Sequence, residues 1–255
     1  MFCANFSLFD FHKTIDNLVL SFYNDKCGIL PDFIKRGIDM TRMIVVRHAQ
    51  SEGNLGPFFT GHTNVFLTPH GHLQAEETAR FLDAYPADVA LSSDLLRVQQ
   101  TARHTTDRRG MDLILDPGLR ELNCGAWEGH TYPWLMEHYP NEWAVWVNDP
   151  INMIFPGGES MQEMCNRVQN TFARIAEQYN GKTILVFTHC TPIRTMITKW
   201  RGLPISAIND IYFPYNASVT IVRYEDDGSY TMEFEAYDEH LKLAGLHHEN
   251  KEERR

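Results

Sequence analysis

Cysteines are few in this chain, odd in number and scattered (Cys3, Cys27, Cys124, Cys165 and Cys190), with no C-x-x-C pair. That pattern argues against a disulfide framework or a cysteine zinc site and fits reduced thiols in a cytoplasm. Long apolar runs are also missing, and none approaches the ~20 residues needed to cross a bilayer. The amino-terminal stretch is rich in Phe and Leu, but Asp10, His12, Lys13 and Asp16 interrupt it. It lacks the positive start and small-residue cleavage site of a signal peptide. Positive charge is short as well: 23 Lys and Arg face 33 Asp and Glu, for a formal net charge of −10. Such a surface has no long-range attraction for nucleic acid or anionic lipid. Any anionic ligand must therefore be met by a local cluster of cations. Repeats and low-complexity tracts are absent too. These absences describe an intracellular, cytoplasmic protein whose function resides in one site.

What is present suits one α/β domain: 255 residues, 43% hydrophobic and 22% charged. Residues 1–40 stand apart as an extension. Phe9, Leu18, Val19 and Phe22 lie near helical spacing within Leu8–Tyr23, before Pro31 and Gly37 break the pattern. This segment reads either as a docking or dimerisation element, leaving a homodimer open, or as a plain appendage upstream of a start at Met40 or Met43. Residues 41–240 form the main domain. Met43–Arg47 is a buried strand, Leu73–Tyr85 a helix, Ala87–Ser92 a strand, Leu95–Thr106 a helix, and Ile114 and Leu115 mark a third strand. Ser160–Tyr179 is a long helix stopped by Asn180-Gly181, followed by the strand Lys182–Thr188 and the helix Pro192–Trp200. Ser218–Tyr224 and Tyr230–Ala236 flank Asp226-Asp227-Gly228 as a hairpin. The charged tail, residues 241–255, is expected to fray from Asp238 onward. Alternating β and α units imply a three-layer α/β/α sandwich with a mostly parallel central sheet.

In such a sheet, ligands sit beyond the carboxyl ends of the strands. The first strand ends in Arg47-His48, and the second runs into Ser92-Ser93-Asp94 with Arg97 in the next helical turn. The third region leads to Arg120-Glu121, and the strongest strand closes on Thr188-His189. Two arginines, two histidines and a glutamate thus converge on one sheet edge.

These residues carry a resemblance. Arg47-His48-Ala49-Gln50-Ser51-Glu52-Gly53-Asn54 is similar to the R-H-G-x-[ST]-x-x-N signature of the histidine phosphatase superfamily, the phosphoglycerate mutase-like proteins. Phe59-Thr60-Gly61, Leu67-Thr68, Gly71-x-x-Gln74-Ala75, Ser92-Ser93-x-Leu95-x-Arg97 and Gln100-Thr101-Ala102 follow in that family's order. Leu119-x-Glu121 through Trp127-Glu128-Gly129 resembles its acid loop, and Pro156-Gly157-Gly158-Glu159-Ser160 the segment before its long helix. The resemblance runs from about Met43 to Tyr237. It implies a cofactor- and metal-independent phosphatase acting on a small phosphorylated substrate, with His48 as nucleophile and Glu121 as proton donor. It also implies a phosphate held by Arg47, Arg97, His189, Asn54, Thr60, Gly61 and Cys190. Ala49 and Cys190 depart from the family, which commonly has Gly at both places; neither change removes a reacting group.

The chemistry agrees with that implication. Phosphoryl transfer needs in-line attack and neutralisation of three equatorial oxygens, and arginine offers planar, always-charged forks for them. His48 must be neutral at one nitrogen, which neighbouring arginines favour. Its other nitrogen needs a partner, expected to be a backbone carbonyl. His189, if protonated, would add a donor. Glu121 would protonate the leaving alkoxide and then activate water against the phosphohistidine; its bland alternative is a surface carboxylate paired with Arg120. His70-x-His72 reads as a solvated pair rather than a metal site. Trp134, Trp143 and Trp146, with Tyr132 and Tyr139, read either as core packing or as a lid over the site. A mutase would have to hold a second anionic group, and no Arg or Lys occurs between Arg120 and Arg167. Hydrolysis is the expected reaction, with a mutase or a non-catalytic regulatory protein as alternatives.

Overall fold

In the β1 strand, Thr41–Arg47, alternate side chains are apolar on both faces, so the strand has no face to give to water. Met43 and Val45 enter one hydrophobic cluster, Ile44 and Val46 another. A strand of that kind has to be sandwiched. A computed structural model of the protein, described here for residues 40–225 and 227–247, shows how. The helix expected within Leu8–Tyr23 lies outside the described residues.

After β1 the order is α1 (Pro69–Leu82), β2 (Val89–Ser92), α2 (Leu96–Arg109), β3 (Leu113–Leu115), α3 (Tyr132–His138), α4 (Pro140–Asn148) and α5 (Met161–Gln178). Then come β4 (Thr183–Thr188), α6 (Cys190–Trp200), β5 (Val219–Tyr224), β6 (Tyr230–Tyr237) and α7 (Glu239–Leu243). The six strands form one sheet in the order β3-β2-β4-β1-β5-β6. β1 to β4 run parallel; β5 lies antiparallel to β1, and β6 to β5. Leu82 of α1 and Val98 and Ala102 of α2 cover one face of the sheet, against Ile44, Val46, Leu185 and Phe187. Val168, Phe172 and Ile175 of α5 and Ile193, Met196 and Ile197 of α6 cover the other, against Met43, Val45, Ile184 and Val186. This is the expected three-layer sandwich.

Local chemistry sets the helix starts. Thr68 caps α1 by accepting from the Gly71 amide at 2.9 Å, with Pro69 in the first turn. Gly71 is required by contact: a Cβ there would sit 1.9 Å from the Gln50 carbonyl oxygen. α5 opens on a reciprocal capping box between Ser160 and Glu163, with bonds of 3.1 and 2.8 Å.

Two expectations need correcting. α6 begins at Cys190, two residues before Pro192, because proline is tolerated in a first turn where no intrahelical N–H bond is lost. The helix N-terminus therefore abuts His189. The chain after Asp238 does not simply fray. α7 follows, with His240 and Leu241 buried, because Leu241 has an apolar seat beside Ala75 and Ala217.

Candidate active site

β1 and β4 are neighbours in register, with Arg47 opposite Thr188, so the residues that follow emerge side by side. The His48 amide donates to the Thr188 carbonyl at 2.9 Å. The His48 and His189 rings meet edge to face, centroids 5.3 Å apart. Nδ1 of His48 lies 2.8 Å from the Ala49 carbonyl oxygen, an acceptor only. Nδ1 therefore carries the proton and Nε2 the lone pair. Burial, then the charges of Arg97 and Arg47, push the His48 ring well below its ordinary titration range. The His48 carbonyl is held in turn by the Asn216 amide at 3.0 Å and the Ala217 amide at 3.2 Å. Ala217 takes a left-handed φ of 59° to do this. Ala49 is fully buried and keeps an ordinary negative φ, as its type requires.

Both arginines are buried. Arg47 donates to the Pro214 carbonyl at 2.5 Å. Arg97 donates to the Gly61 carbonyl at 2.9 Å and the Thr63 carbonyl at 3.1 Å. Carbonyls orient a guanidinium without neutralising it. Burial pushes Arg97 down to about 10, and the like charge of Arg47 adds to the effect against the opposing pull of Glu121. The sequence left the protonation of His189 open. Burial, then Arg97, His48, Arg47 and His62, push it well below the usual imidazole range, so it is neutral rather than protonated. It still offers a donor. Ser93 Oγ, which accepts from the Leu95 amide at 3.4 Å, lies 2.9 Å from His189 Nε2. With the hydroxyl donating to Nε2, the proton sits on the buried Nδ1, which has no protein partner.

The remaining phosphate-binding candidates sit around this core in different capacities. Asn54 Oδ1 accepts from the Ser51 amide at 3.0 Å and the Asn216 amide at 3.3 Å, which fixes which end of the side chain faces the loop. Thr60 Oγ1 donates to the Gly53 carbonyl at 3.4 Å. Gly61 serves through its carbonyl on Arg97; its φ of 48° and the Glu128 side chain beside it leave no room for a Cβ. Cys190 is buried as the first residue of α6.

Glu121 is clamped at both ends. Its carboxylate accepts from the Leu122 amide at 2.9 Å and from the Thr191 amide at the N-terminus of α6 at 3.3 Å. Its carbonyl accepts from His62 Nε2 at 2.8 Å and Arg167 Nη2 at 3.1 Å. Arg120 is not its partner: that guanidinium forks onto Asp94 at 2.6 and 2.5 Å.

Sequence reasoning missed five residues here: Arg167, His62, Glu128, Ser93 and Asn216. Arg167 donates to both Glu159 oxygens and to the carbonyls of Gly118, Arg120 and Glu121. Glu128 accepts from the His62, Thr63 and Cys124 amides, tying the Gly61 segment to the acid loop. The available signals were the motif matches that contain Ser93 and Glu128, though neither was given a role from them.

The tryptophans pack against the apolar cluster on that side of the sheet. Trp143 stacks on the buried Trp127, centroids 5.8 Å apart, and Trp146 sets its edge against Phe59 and Phe155. Trp134 lies between His130 and His138. Phe59, adjoining Thr60, is where this aromatic cluster reaches the site. His70 and His72 are not a pair in space: His72 meets His104 at 3.1 Å and His70 meets the Leu246 carbonyl at 3.1 Å. Among the described residues no group of three or more His, Cys, Asp or Glu is placed to hold a metal ion, and no helix is long and apolar enough to cross a membrane.

The structure thus brings a buried histidine pair, two buried guanidiniums and a clamped carboxylate to one end of the sheet. Residues 43–236 match the histidine phosphatase superfamily, branch 1, and the chain belongs to that family. It is 30% identical over 187 residues to phosphoserine phosphatase 1 of Hydrogenobacter thermophilus, covering 73% of this chain and 88% of that protein. It is 31% identical over 187 residues to a probable phosphoglycerate mutase of an Enterobacter species, covering 73% and 86%. A crystal structure described as a putative alpha-ribazole-5'-P phosphatase from Escherichia coli K-12 superposes with a TM-score of 0.71. The identity there is 27%, covering 76% of this chain and 94% of that one.

Proposed function

We propose that the protein is a phosphatase that hydrolyses a small phosphomonoester in the cytoplasm through a phosphohistidine on His48. The observation that carries this reading is the His48 ring, pinned through Nδ1 to Ala49, held neutral, and set among Arg47, Arg97 and His189. Nε2 attacks phosphorus in line; the guanidiniums and the His189 Nδ1 proton take up charge on the equatorial oxygens. The P–O bond to the alcohol breaks as Glu121 delivers a proton to the departing oxygen. Glu121 then removes a proton from water, which attacks the phosphohistidine and releases inorganic phosphate and His48. No step calls on a metal.

Hydrolysis is favoured over mutase transfer by the absence of any Lys or Arg from residue 121 to 166, where a second anionic group would need one. The names of the relatives make phosphoserine and alpha-ribazole phosphate reasonable members of a first panel. The test is phosphate release from such a panel, with EDTA present and His48→Ala as control, joined to trapping of an acid-labile phosphoenzyme. Release and label that both vanish in the variant support the reading. Label without release, and conversion of 3-phosphoglycerate to its 2-isomer, would replace it with the mutase.

A further inference from the structure

The segment that leads into β5 takes hold of the end of β1. The Pro214 carbonyl accepts from Arg47 Nη1 at 2.5 Å, and the Ser218 carbonyl accepts from the Arg47 amide at 3.2 Å. The Ala217 amide donates to the His48 carbonyl at 3.2 Å. Asn216, which is buried, makes two bonds at once. Its Nδ2 lies 3.0 Å from the His48 carbonyl oxygen and 3.3 Å from Asn54 Oδ1. One amide nitrogen, with a hydrogen for each, therefore spans the nucleophile's main chain and a phosphate-binding candidate.

Main-chain groups settle which way each amide faces. A carbonyl oxygen only accepts, so the Asn216 atom against His48 is nitrogen. The Ser51 N–H only donates, so the Asn54 atom 3.0 Å from it is oxygen. Ser51 Oγ donates to that same oxygen at 3.1 Å. With Asn216, three donors converge on Asn54 Oδ1. Its Nδ2, the end that can donate to a phosphate oxygen, lies on the other side of the amide carbon.

The His48 ring depends on the same bridge. Nδ1 is pinned to the Ala49 carbonyl, one peptide further along. The place of that carbonyl follows from the peptide between His48 and Ala49, which is the one that Asn216 and Ala217 grip. Thr78 Oγ1 donates to the Ala217 carbonyl at 3.1 Å, which backs Ala217 in its left-handed φ of 59°.

We propose that Asn216 is a positioning residue for phosphoryl transfer, fixing the nucleophilic His48 and the phosphate-binding Asn54 relative to one another. The proposal rests on the phosphatase reading and deepens it. Both hydrogens of its Nδ2 go to the protein, so Asn216 acts on geometry and not on the phosphate itself.

The test is single-turnover release of 4-nitrophenol from 4-nitrophenyl phosphate, with enzyme in increasing excess. The limiting rate constant reports transfer to His48 and does not depend on the fraction of molecules folded. A merely structural role would raise the enzyme concentration needed to reach the limit and leave the limit unchanged. Asn216→Leu is nearly isosteric, uncharged and donates nothing; it should lower the limit by about tenfold to a hundredfold, the cost of a misplaced reacting group. Asn216→Ser, whose hydroxyl can serve only one of the two acceptors, should fall less. Combining Asn216→Leu with Asn54→Ala should cost less than the product of the separate losses, because the two residues share a bond. Losses that simply multiply would overturn the link to Asn54. A limit within about twofold of the unaltered enzyme in Asn216→Leu overturns the proposal and leaves the phosphatase reading standing. If Asn216→Leu yields no folded protein, Asn216→Ser decides by the same criterion. An unaltered enzyme that neither releases 4-nitrophenol nor takes acid-labile label counts against the phosphatase reading, and the proposal falls with it.

Discussion

A carboxylic acid that protonates a departing alkoxide matters in proportion to how badly the alcohol leaves. Glu121→Gln should therefore cost roughly 10²–10⁴ in kcat on an alkyl phosphate and far less on an activated aryl phosphate. Equal losses on both, measured side by side, would remove Glu121 from the proton-donor role. The histidines predict a pH profile. His48 must be neutral to attack, and its ring is held well below the ordinary imidazole range by burial and by Arg97 and Arg47. The acid limb of kcat/KM attributable to it should accordingly lie below pH 6.5 rather than at it, in a profile taken on an activated substrate that does not depend on Glu121. The residues proposed to react were legible in the sequence because Arg47, His48 and His189 stand at strand ends and Arg97 opens a helix. Their supports were not. Arg167, His62 and Asn216 act on main-chain carbonyls of Glu121 and His48, and a carbonyl has no letter in a sequence. The neutrality of His189 could not be read for a related reason: it comes from burial and from Arg97, neither visible in Thr188-His189.

Elements separate stability from activity. Ser160 caps α5 through a closed capping box with Glu163, and its side chain bonds none of the residues proposed to react. Ser160→Ala should lower stability by about 1 kcal/mol, or roughly 3 °C in Tm, with kcat unchanged. Gly71→Ala is the contrasting change. Its Cβ would collide with the Gln50 carbonyl, backbone against backbone, so α1 must retreat from the loop that follows His48. Both stability (by about 3 kcal/mol) and kcat/KM should fall, and thermal melts with assays on the same samples would separate the two cases. The long helix and the central strands were readable because their apolar periods are unambiguous. α6 was placed two residues late because Pro192 reads as a boundary unless its position within the first turn is known. α7 was missed because its reason for existing, the seat under Leu241, is assembled from α1 and the segment before β5.

At the scale of the whole molecule, acid should be destabilising well before the carboxylates titrate. Burial pushes His240, stacked on Phe81 and bonded to Thr78, down to about 4. Its folded value is below that of the unfolded chain, about 6.5, so the unfolded chain binds the proton more tightly. Stability is full above pH 6.5 and declines as pH falls from 6.5 to about 4. The loss by pH 5 is about 2 kcal/mol from this residue, and His48 and His189 act in the same direction. Urea denaturation at pH 7 and pH 5 measures it, and His240→Gln should reduce the difference between the two curves.

The carbonyls that grip Arg97 have a consequence for the protein at rest. They hold the Arg97 guanidinium in place without neutralising it, and burial lowers its proton affinity against the opposing pull of Glu121. A buried guanidinium held only by carbonyls is a ready partner for an oxyanion, so inorganic phosphate should act as a structural partner as well as a product. Melting temperature should climb with phosphate concentration and stay flat with equal chloride, and the same affinity should appear as competitive product inhibition. An enzyme built this way slows as its own product accumulates, and is most robust where phosphate is plentiful.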